Sequence, residues 1–250
     1  MAASNDSERR VVVTGIGMMT PVGIGREETW SALLAGENGI GPVTLCDVSD
    51  LASQVAGEIT DFDPLDVVGK KEARRIDRFT QLAIGASAEA LEHSGLDISV
   101  APDEIGVMIG SGIGGLQTLE DQFQVLFDRG PSRVSPFLVP AFIPDMAAGQ
   151  VSIRFGARGP NYNTVSACAS GADAIGTAFQ VIKRGDAVAM LSGGADAAVT
   201  RMGLASFHAS RALSTSYNDD PEHATRPFDS GRDGFVLAEG AATLVLEDLD

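Results

Sequence analysis

Two kinds of hydrophobic pattern alternate along the chain. Short runs of β-branched and other apolar residues predict buried strands, whereas apolar residues recurring every three or four positions predict helices. The predicted strands are 10–15, 105–109, 163–165, 187–192 and 241–246, with a shorter one near Val55. The predicted helices are 26–36, 71–94, 116–128, 145–156 and about 171–183. Because strands alternate with helices, the sequence predicts a layered α/β fold.

Two of the helical patterns have a distinct apolar side. Apolar residues recur through 71–94 at helical spacing, and Gly95 follows as a helix stop signal. In the first predicted helix, Trp30, Leu33 and Leu34 form a single apolar stripe.

The remaining stretches are predicted to be loops or a tail. Residues 131–144 contain four prolines and therefore predict a loop or a broken helix. Residues 200–232 form a polar, arginine-rich excursion, and residues 1–9 a disordered lead-in. No repeat of fixed period and no linker divides the chain, so residues 10–250 are expected to form one domain.

Composition and charge exclude several classes of function. The formal net charge is −16, so the chain as a whole repels nucleic-acid phosphates. Two cysteines and three histidines, without a CxxC spacing, predict no metal site. No run approaches 18 apolar residues and the first ten residues are polar, so neither a membrane span nor a signal peptide is predicted. A cytoplasmic location is expected.

Glycine clusters follow two of the predicted strands. Gly15 and Gly17 begin a dinucleotide-binding fingerprint, but its third glycine position is Thr20. The cluster 110–115 matches the spacing, yet no acidic residue closes a second strand about 20 residues later, as a ribose contact requires. Tight turns and close backbone packing are therefore the favoured interpretation.

Cys168 stands where a predicted strand gives way to a helix of small residues. The positive end of the helix macrodipole stabilises a thiolate there, and thiolate is the nucleophilic form of cysteine. A buried, inert cysteine is the alternative, and this is the expectation for Cys46. The histidines His93, His208 and His223 occur in no motif and are not expected to be catalytic.

Motifs along most of the chain resemble those of one family. The segment 164–171, Thr-Val-Ser-Ala-Cys-Ala-Ser-Gly, resembles the active-site segment of β-ketoacyl-acyl-carrier-protein synthases. The other matching segments are 12–17, 20–23, 109–115, 135–137, 158–160, 211–214, 226–229 and 232–236. The set covers roughly residues 10–250 and is most similar to the elongating type, with polyketide condensing enzymes as near relatives.

The resemblance implies a thiolase-like fold made of two similar halves, of which this chain would be the N-terminal half with a five-stranded mixed sheet flanked by helices. Cys168 would accept an acyl chain as a thioester, with its backbone N–H in the oxyanion hole, and decarboxylated malonyl-carrier protein would attack it. The family's catalytic histidine pair belongs to the second half. The chain alone is therefore expected to be inactive in condensation.

The resemblance also implies binding partners and surfaces. Ile113 and Phe137 are the candidates for the acyl pocket, and a homodimer without organic cofactor is expected. Positions 71, 74, 75 and 78 would share a helix face, which is either a solvated face or a docking site for the acidic carrier protein. The resemblance favours docking, for which the candidate residues are Lys70, Lys71, Arg74, Arg75, Arg133 and Arg211.

Two other functions are compatible with parts of the sequence. A non-catalytic chain-length-factor-like or scaffolding subunit of a polyketide synthase would share the motifs, but such subunits usually lack the nucleophilic cysteine. A nucleotide-binding oxidoreductase would depend on the glycine clusters alone. Cys168 therefore favours the condensing enzyme.

Overall fold

Residues 9–249 are described by the structure, a computed structural model. The predicted disordered lead-in lies outside this range except for Arg9, whose guanidinium pairs with Asp248 at 2.8 Å. Within residues 9–249 there are eight strands: β1 (Val11–Thr20), β2 (Gly23–Ile24), β3 (Ile40–Pro42), β4 (Val55–Gly57), β5 (Ile105–Gly110), β6 (Asn161–Tyr162), β7 (Ala189–Asp196) and β8 (Gly240–Asp248). The same residues form eight α-helices: α1 (Arg26–Ala35), α2 (Lys70–Ala73), α3 (Arg78–Ser94), α4 (Leu116–Arg129), α5 (Leu138–Phe142), α6 (Met146–Phe155), α7 (Ser170–Arg184) and α8 (Arg201–Ala209).

Six strands form one mixed sheet in the order β2-β1-β8-β7-β5-β6, and β3 and β4 form a separate antiparallel pair. Strands β5, β6 and β7 run parallel, whereas β8 is antiparallel to both of its neighbours. The predicted five-stranded mixed sheet is therefore present, extended at one edge by the two-residue strand β2. Every residue of β5 is buried, as expected for a parallel strand covered on both faces.

Helices cover the two faces of the sheet. On one face, Phe79, Leu82 and Ala86 of α3 join residues of β5, β7, β8 and α6 in the largest core cluster. On the other face, α7 presents Ala174 and Ile182 to Met108, Met190 and Leu246 of the strands. The α3 residues recur at three- and four-residue intervals, and Ala174, Ala178 and Ile182 of α7 recur at four-residue intervals. This periodicity directs one face of each helix to the sheet.

The first helix is found where it is predicted, and its apolar stripe is exposed in this chain. Trp30, Leu33 and Leu34 are 60%, 57% and 71% exposed. The buried residues of α1 are Thr29 and Ala32 instead. The small Thr29 side chain donates to the carbonyl of Gly23, which holds this face of α1 against the β1–β2 hairpin.

The prediction of one long helix over 71–94 is wrong for its first turns. The chain forms the short α2, breaks, and begins α3 only at Arg78. Asp77 causes the break because its buried carboxylate caps α3 through the N–H of Phe79 and accepts two hydrogen bonds from Thr118 of α4. Burial raises the pKa of Asp77, against the opposing effect of the Thr118 hydrogen bonds. Positions 71, 74, 75 and 78 therefore do not share one helix face.

The strand predicted at 163–165 is displaced by two or three residues. The strand is Asn161–Tyr162, which pairs in parallel with Val107 and Met108 of β5. The excursion 200–232 contains α8 and one short helical turn and is otherwise loop. Among residues 9–249, no helix combines the length and the apolar composition that crossing a bilayer requires.

Candidate active site

Cys168 lies in the turn that leads into α7, two residues before the helix begins, and is exposed. The apolar face of α7 rests on the sheet, so the helix N-terminus is fixed at the ends of the parallel strands β5 and β7. Ligand sites of α/β sheets commonly lie at this end of parallel strands. The predicted position of Cys168 at a helix N-terminus is thus present in the structure.

The turn around Cys168 is strained and held by one side chain. Ala167 has a φ of 53°, in the left-handed region that non-glycine residues rarely adopt. The Ser170 hydroxyl donates to the carbonyl oxygen of Ala167 at 2.7 Å and accepts from the N–H of Ser166 at 3.0 Å. Backbone strain of this kind is concentrated at functional sites.

Glycines let three backbone segments approach one another beside this turn. A Cβ atom on Gly110 would stand 2.2 Å from the carbonyl oxygen of Ser170, and one on Gly112 would stand 3.2 Å from that of Ala167. A Cβ on Gly171 would likewise stand 3.2 Å from the Cα of Gly194. The interpretation of Gly110 and Gly112 as positions of close backbone packing is therefore confirmed.

Asp196 at the end of β7 fixes the glycine-rich loop that faces Cys168. Its carboxylate accepts hydrogen bonds from the Ser111 hydroxyl at 2.9 Å and from the N–H groups of Gly112 and Ile113 at 3.0 and 3.2 Å. The sequence interpretation did not identify Asp196. A carboxylate at the end of a strand parallel to the one carrying the glycine loop was the available signal.

The two acyl-pocket candidates lie in different surroundings. Ile113 is partly buried against a cluster that contains Ala198, Leu204 and Leu213. Phe137 is 39% exposed, and the Arg75 guanidinium stands over its ring at 4.4 Å from the centroid. The two side chains therefore lie against different neighbours, and their role in acyl binding stays a prediction.

Four of the six docking candidates surround one open cavity. Lys70, Lys71, Arg74 and Arg75 line a cavity of about 450 Å³ together with Phe137. All four cations are exposed. An exposed aromatic ring beneath a guanidinium adds a cation–π contact to this positively charged surface.

The other two docking candidates lie outside that cavity. Arg133 is exposed in a short helical turn over 131–133. Arg211 is exposed after α8, with a φ of 58°. Phe228, which the sequence interpretation did not single out, combines a φ of 67° with 99% exposure.

Arg78 does not belong to this surface, although it continues the basic run in sequence. Its guanidinium makes two 2.7 Å hydrogen bonds with the carboxylate of Glu239, whose side chain is 1% exposed. It also donates to the carbonyl of Ile59, whose N–H donates to Glu239. Arg78 is therefore a structural ion-pair residue.

The histidines and the second cysteine lie in structural settings. Within residues 9–249 no histidine hydrogen-bonds Cys168. His93 accepts from the N–H of Ile16, and His223 pairs with Asp220 at 2.8 Å. Burial raises the pKa of Cys46, and the nearby Glu120 carboxylate adds to the effect. Cys168 is thus the more exposed of the two thiols, and its surroundings oppose ionisation of Cys46.

The chain thus combines a helix-covered mixed sheet with an exposed cysteine at a helix N-terminus. The profile described as "Beta-ketoacyl synthase, N-terminal domain" matches residues 8–250. The chain therefore belongs to the β-ketoacyl synthase family, in agreement with the resemblance of its motifs, and the predicted fold class is confirmed.

Particular relatives sharpen this assignment. The chain is 50% identical over 248 residues to the 3-oxoacyl-[acyl-carrier-protein] synthase 2 of Synechocystis sp., covering 99% of this chain and 59% of that protein. A β-ketoacyl synthase crystal structure from Burkholderia phymatum superposes with a TM-score of 0.86 at 34% identity, covering 96% of this chain and 59% of the other. A type II polyketide ketosynthase, solved with its acyl-carrier protein, gives 0.81 at 28% identity and coverages of 97% and 59%. The chain spans about three-fifths of the length of these proteins.

Proposed function

We propose that this protein belongs to a 3-oxoacyl-acyl-carrier-protein synthase of fatty acid elongation, in which Cys168 carries the growing acyl chain. The observation that carries the proposal is the exposed Cys168 thiol in a strained turn at the N-terminus of α7. The 50% sequence identity to the 3-oxoacyl-[acyl-carrier-protein] synthase 2 of Synechocystis sp. supports the proposal. The cysteine also argues against a chain-length-factor-like or scaffolding role.

The proposed chemistry uses Cys168 twice. The thiolate attacks the carbonyl carbon of an acyl-carrier thioester, and the carrier's thiol leaves as the new thioester forms. Malonyl-carrier protein then loses CO₂, and its carbanion attacks the acyl carbonyl carbon. A carbon–carbon bond forms, the Cys168 sulfur leaves as thiolate, and the product is a 3-ketoacyl chain two carbons longer. Backbone N–H groups at the start of α7, including that of Cys168, would stabilise the oxyanion.

The isolated chain is expected to make no 3-ketoacyl product from acyl- and malonyl-carrier proteins. Stabilising the enolate formed on decarboxylation requires hydrogen-bond donors, and losing one such donor typically costs a hundredfold or more. Within residues 9–249, His93 and His223 make their side-chain hydrogen bonds with Ile16 and Asp220 and not with Cys168. Mass spectrometry of the carrier-bound products tests this, and detection of 3-ketoacyl-carrier protein would contradict it.

The outward face of α7 supports a second half packed on this one. Asp173, Gly176, Thr177 and Gln180 line an open groove of about 590 Å³ with the segment 164–166. Small and polar residues of this kind allow another helix to approach closely. The relatives' additional length would supply the covering half, together with the catalytic histidines that the family resemblance implies.

The cavity lined by Lys70, Lys71, Arg74 and Arg75 is the proposed docking site for carrier protein. It is a local concentration of positive charge on a chain of net charge −16. Complementary charge accelerates encounter with an acidic partner and fixes its orientation. The similar polyketide ketosynthase was solved in complex with its acyl-carrier protein. Arg133 and Arg211 are further candidates for contact with the carrier protein.

Removing two of these charges is expected to weaken carrier binding. The double variant K71A/R75A should lower affinity about tenfold at low salt, because two exposed cations facing an acidic partner are lost. The difference should shrink as salt rises, since exposed charges are screened. Binding is measured by titration with carrier protein at two ionic strengths.

A charge-matched control separates docking from overall charge. The variant R9A/R26A also removes two cations, each of which makes an ion pair elsewhere on the chain, with Asp248 and Glu27 respectively. This control should bind carrier protein within about twofold of the parent at each salt concentration. Equal weakening of both double variants would contradict docking at the basic cavity.

Homodimer formation and the acyl pocket belong to the same proposal. Phe123 and Phe127 of α4 stack at 6.4 Å, and Phe127 and Val139 are 79% and 63% exposed. A second copy would cover apolar surface of this kind. Ile113 and Phe137 remain the candidate acyl-pocket residues, and a cytoplasmic location is the expectation for the enzyme.

A further inference from the structure

The turn that presents Cys168 is exposed and is closed by hydrogen bonds, one of which runs from the N–H of Ala169 to the carbonyl of Ser166 at 3.1 Å. Ala167 occupies the left-handed region, and the residues on both sides of Cys168 are exposed. A turn without packing around it keeps a strained conformation only where other interactions over-determine it. Nearby hydrogen bonds must therefore supply that constraint.

Ser170 supplies contacts on both sides of the nucleophile. Its hydroxyl links the N–H of Ser166 at 3.0 Å to the carbonyl oxygen of Ala167 at 2.7 Å, closing the turn across Cys168. Its own N–H donates to the same Ala167 oxygen at 3.1 Å. Ser170 is only 2% exposed, so water does not compete for its hydroxyl.

The backbone of Ser170 is fixed in turn by its surroundings. The Thr164 hydroxyl donates to the Ser170 carbonyl at 2.8 Å. The same carbonyl lies against Gly110, where a Cβ would stand 2.2 Å away. The Ser170 backbone is therefore fixed by Thr164 and Gly110, while its hydroxyl bridges Ser166 and Ala167.

We infer that Ser170 is a positioning residue that holds the Ala167–Cys168 turn in its strained conformation and so keeps the Cys168 sulfur at the N-terminus of α7. The inference rests on the proposed nucleophilic role of Cys168. Without the hydroxyl, the Ser166 N–H loses its acceptor and Ala167 can relax toward ordinary backbone angles. The sulfur would then leave the positive end of the helix, which stabilises its thiolate.

The test is alkylation of the intact chain by iodoacetamide, in which the thiolate sulfur displaces iodide. Peptide mass spectrometry follows Cys168 and Cys46 separately, so Cys46 reports any general opening of the fold. S170A is expected to lower the alkylation rate of Cys168 on the order of tenfold and to leave that of Cys46 unchanged. S170T keeps the hydroxyl and should react within about twofold of the parent.

A matched control and a second variant keep the inference falsifiable. Ser152 of α6 also donates its hydroxyl to a backbone carbonyl, that of Ala157 at 2.6 Å, so S152A removes an equivalent bond elsewhere and should leave Cys168 unchanged. If S170A does not fold, T164V serves in its place. It removes the hydrogen bond to the Ser170 carbonyl and should lower the alkylation rate of Cys168 severalfold.

The outcomes separate this inference from the proposed function. Unchanged Cys168 reactivity in folded S170A, or in T164V if S170A does not fold, overturns the inference, as does equal slowing in S170T. Faster alkylation of both cysteines in every folded variant at Ser170 or Thr164 also overturns it, because Ser170 would then only stabilise the fold. If Cys168 in the parent chain reacts no faster than Cys46, the proposed nucleophile itself fails.

Discussion

Replacing Cys168 by alanine is expected to abolish transfer of an acyl group to the chain. Incubated with a long-chain acyl thioester, the parent chain should gain the mass of one acyl group, and C168A should gain none. The effect should be roughly a hundredfold or more, because the substitution removes the atom that forms the new bond. Intact-mass spectrometry measures the labelled fraction directly.

The second cysteine is the control for this experiment. Cys46 is partly buried, and both its burial and Glu120 oppose ionisation of its thiol. C46A should therefore be acylated like the parent chain, with the label on the peptide that contains Cys168. A label that persists in C168A and disappears in C46A would move the nucleophile to the other thiol.

The stability of C168A distinguishes loss of the nucleophile from loss of the fold. Cys168 is exposed and its side chain fills no core position. Surface substitutions of this kind usually change stability by about 0.5 kcal/mol or less. Thermal unfolding of C168A should thus resemble that of the parent, and a large fall in Tm would show that the acylation result reports misfolding.

The sequence predicted the parts of this fold that depend on local patterns. The fully apolar run in β5 is buried on both faces, and the four-residue spacing of Ala174, Ala178 and Ile182 directs α7 to the sheet. The strand–turn–helix context of Cys168 follows from the same patterns. The candidate nucleophile could therefore be placed at a helix N-terminus before the structure was known.

Other features depend on neighbours that are distant in sequence. Periodicity marks the apolar stripe of α1 but does not show whether anything covers it, and Trp30 and Leu34 are exposed in this chain. The position of β6 is set by parallel pairing with β5 and not by local apolarity. Asp196 meets the glycine-rich loop only because β5 and β7 are neighbours in the sheet.

The break before α3 has a local signal in the sequence, the N-cap residue Asp77. Asp77 is a standard N-cap residue, but it stands within a continuous helical pattern of apolar positions. The hydrogen bonds from Thr118 identify it as a cap that joins two helices. This single residue turns Arg78 inward and separates it from the basic cavity.

Replacing Arg78 by methionine is expected to destabilise the chain without weakening carrier docking. The substitution leaves the Glu239 carboxylate, which is 1% exposed, without its cation. Removing one partner of a buried ion pair typically costs about 3–5 kcal/mol; because Arg78 keeps 22% exposure, we expect the lower end, about 3 kcal/mol. For a chain of this size the melting temperature should fall by roughly 6–12 °C, measured by thermal unfolding.

The double variant R78M/E239M tests the physical reason for that loss. Replacing both partners of a buried pair by apolar residues removes the uncompensated charge, so the double variant should be more stable than R78M alone. The N–H of Ile59 loses the Glu239 carboxylate and the carbonyl of Ile59 loses the Arg78 guanidinium, and these two unpaired backbone groups limit the recovery. At a temperature where R78M is folded, it should bind carrier protein like the parent chain, whereas K71A/R75A should bind more weakly. Weakened binding by R78M would mean that the basic run acts as one surface despite the break at Asp77.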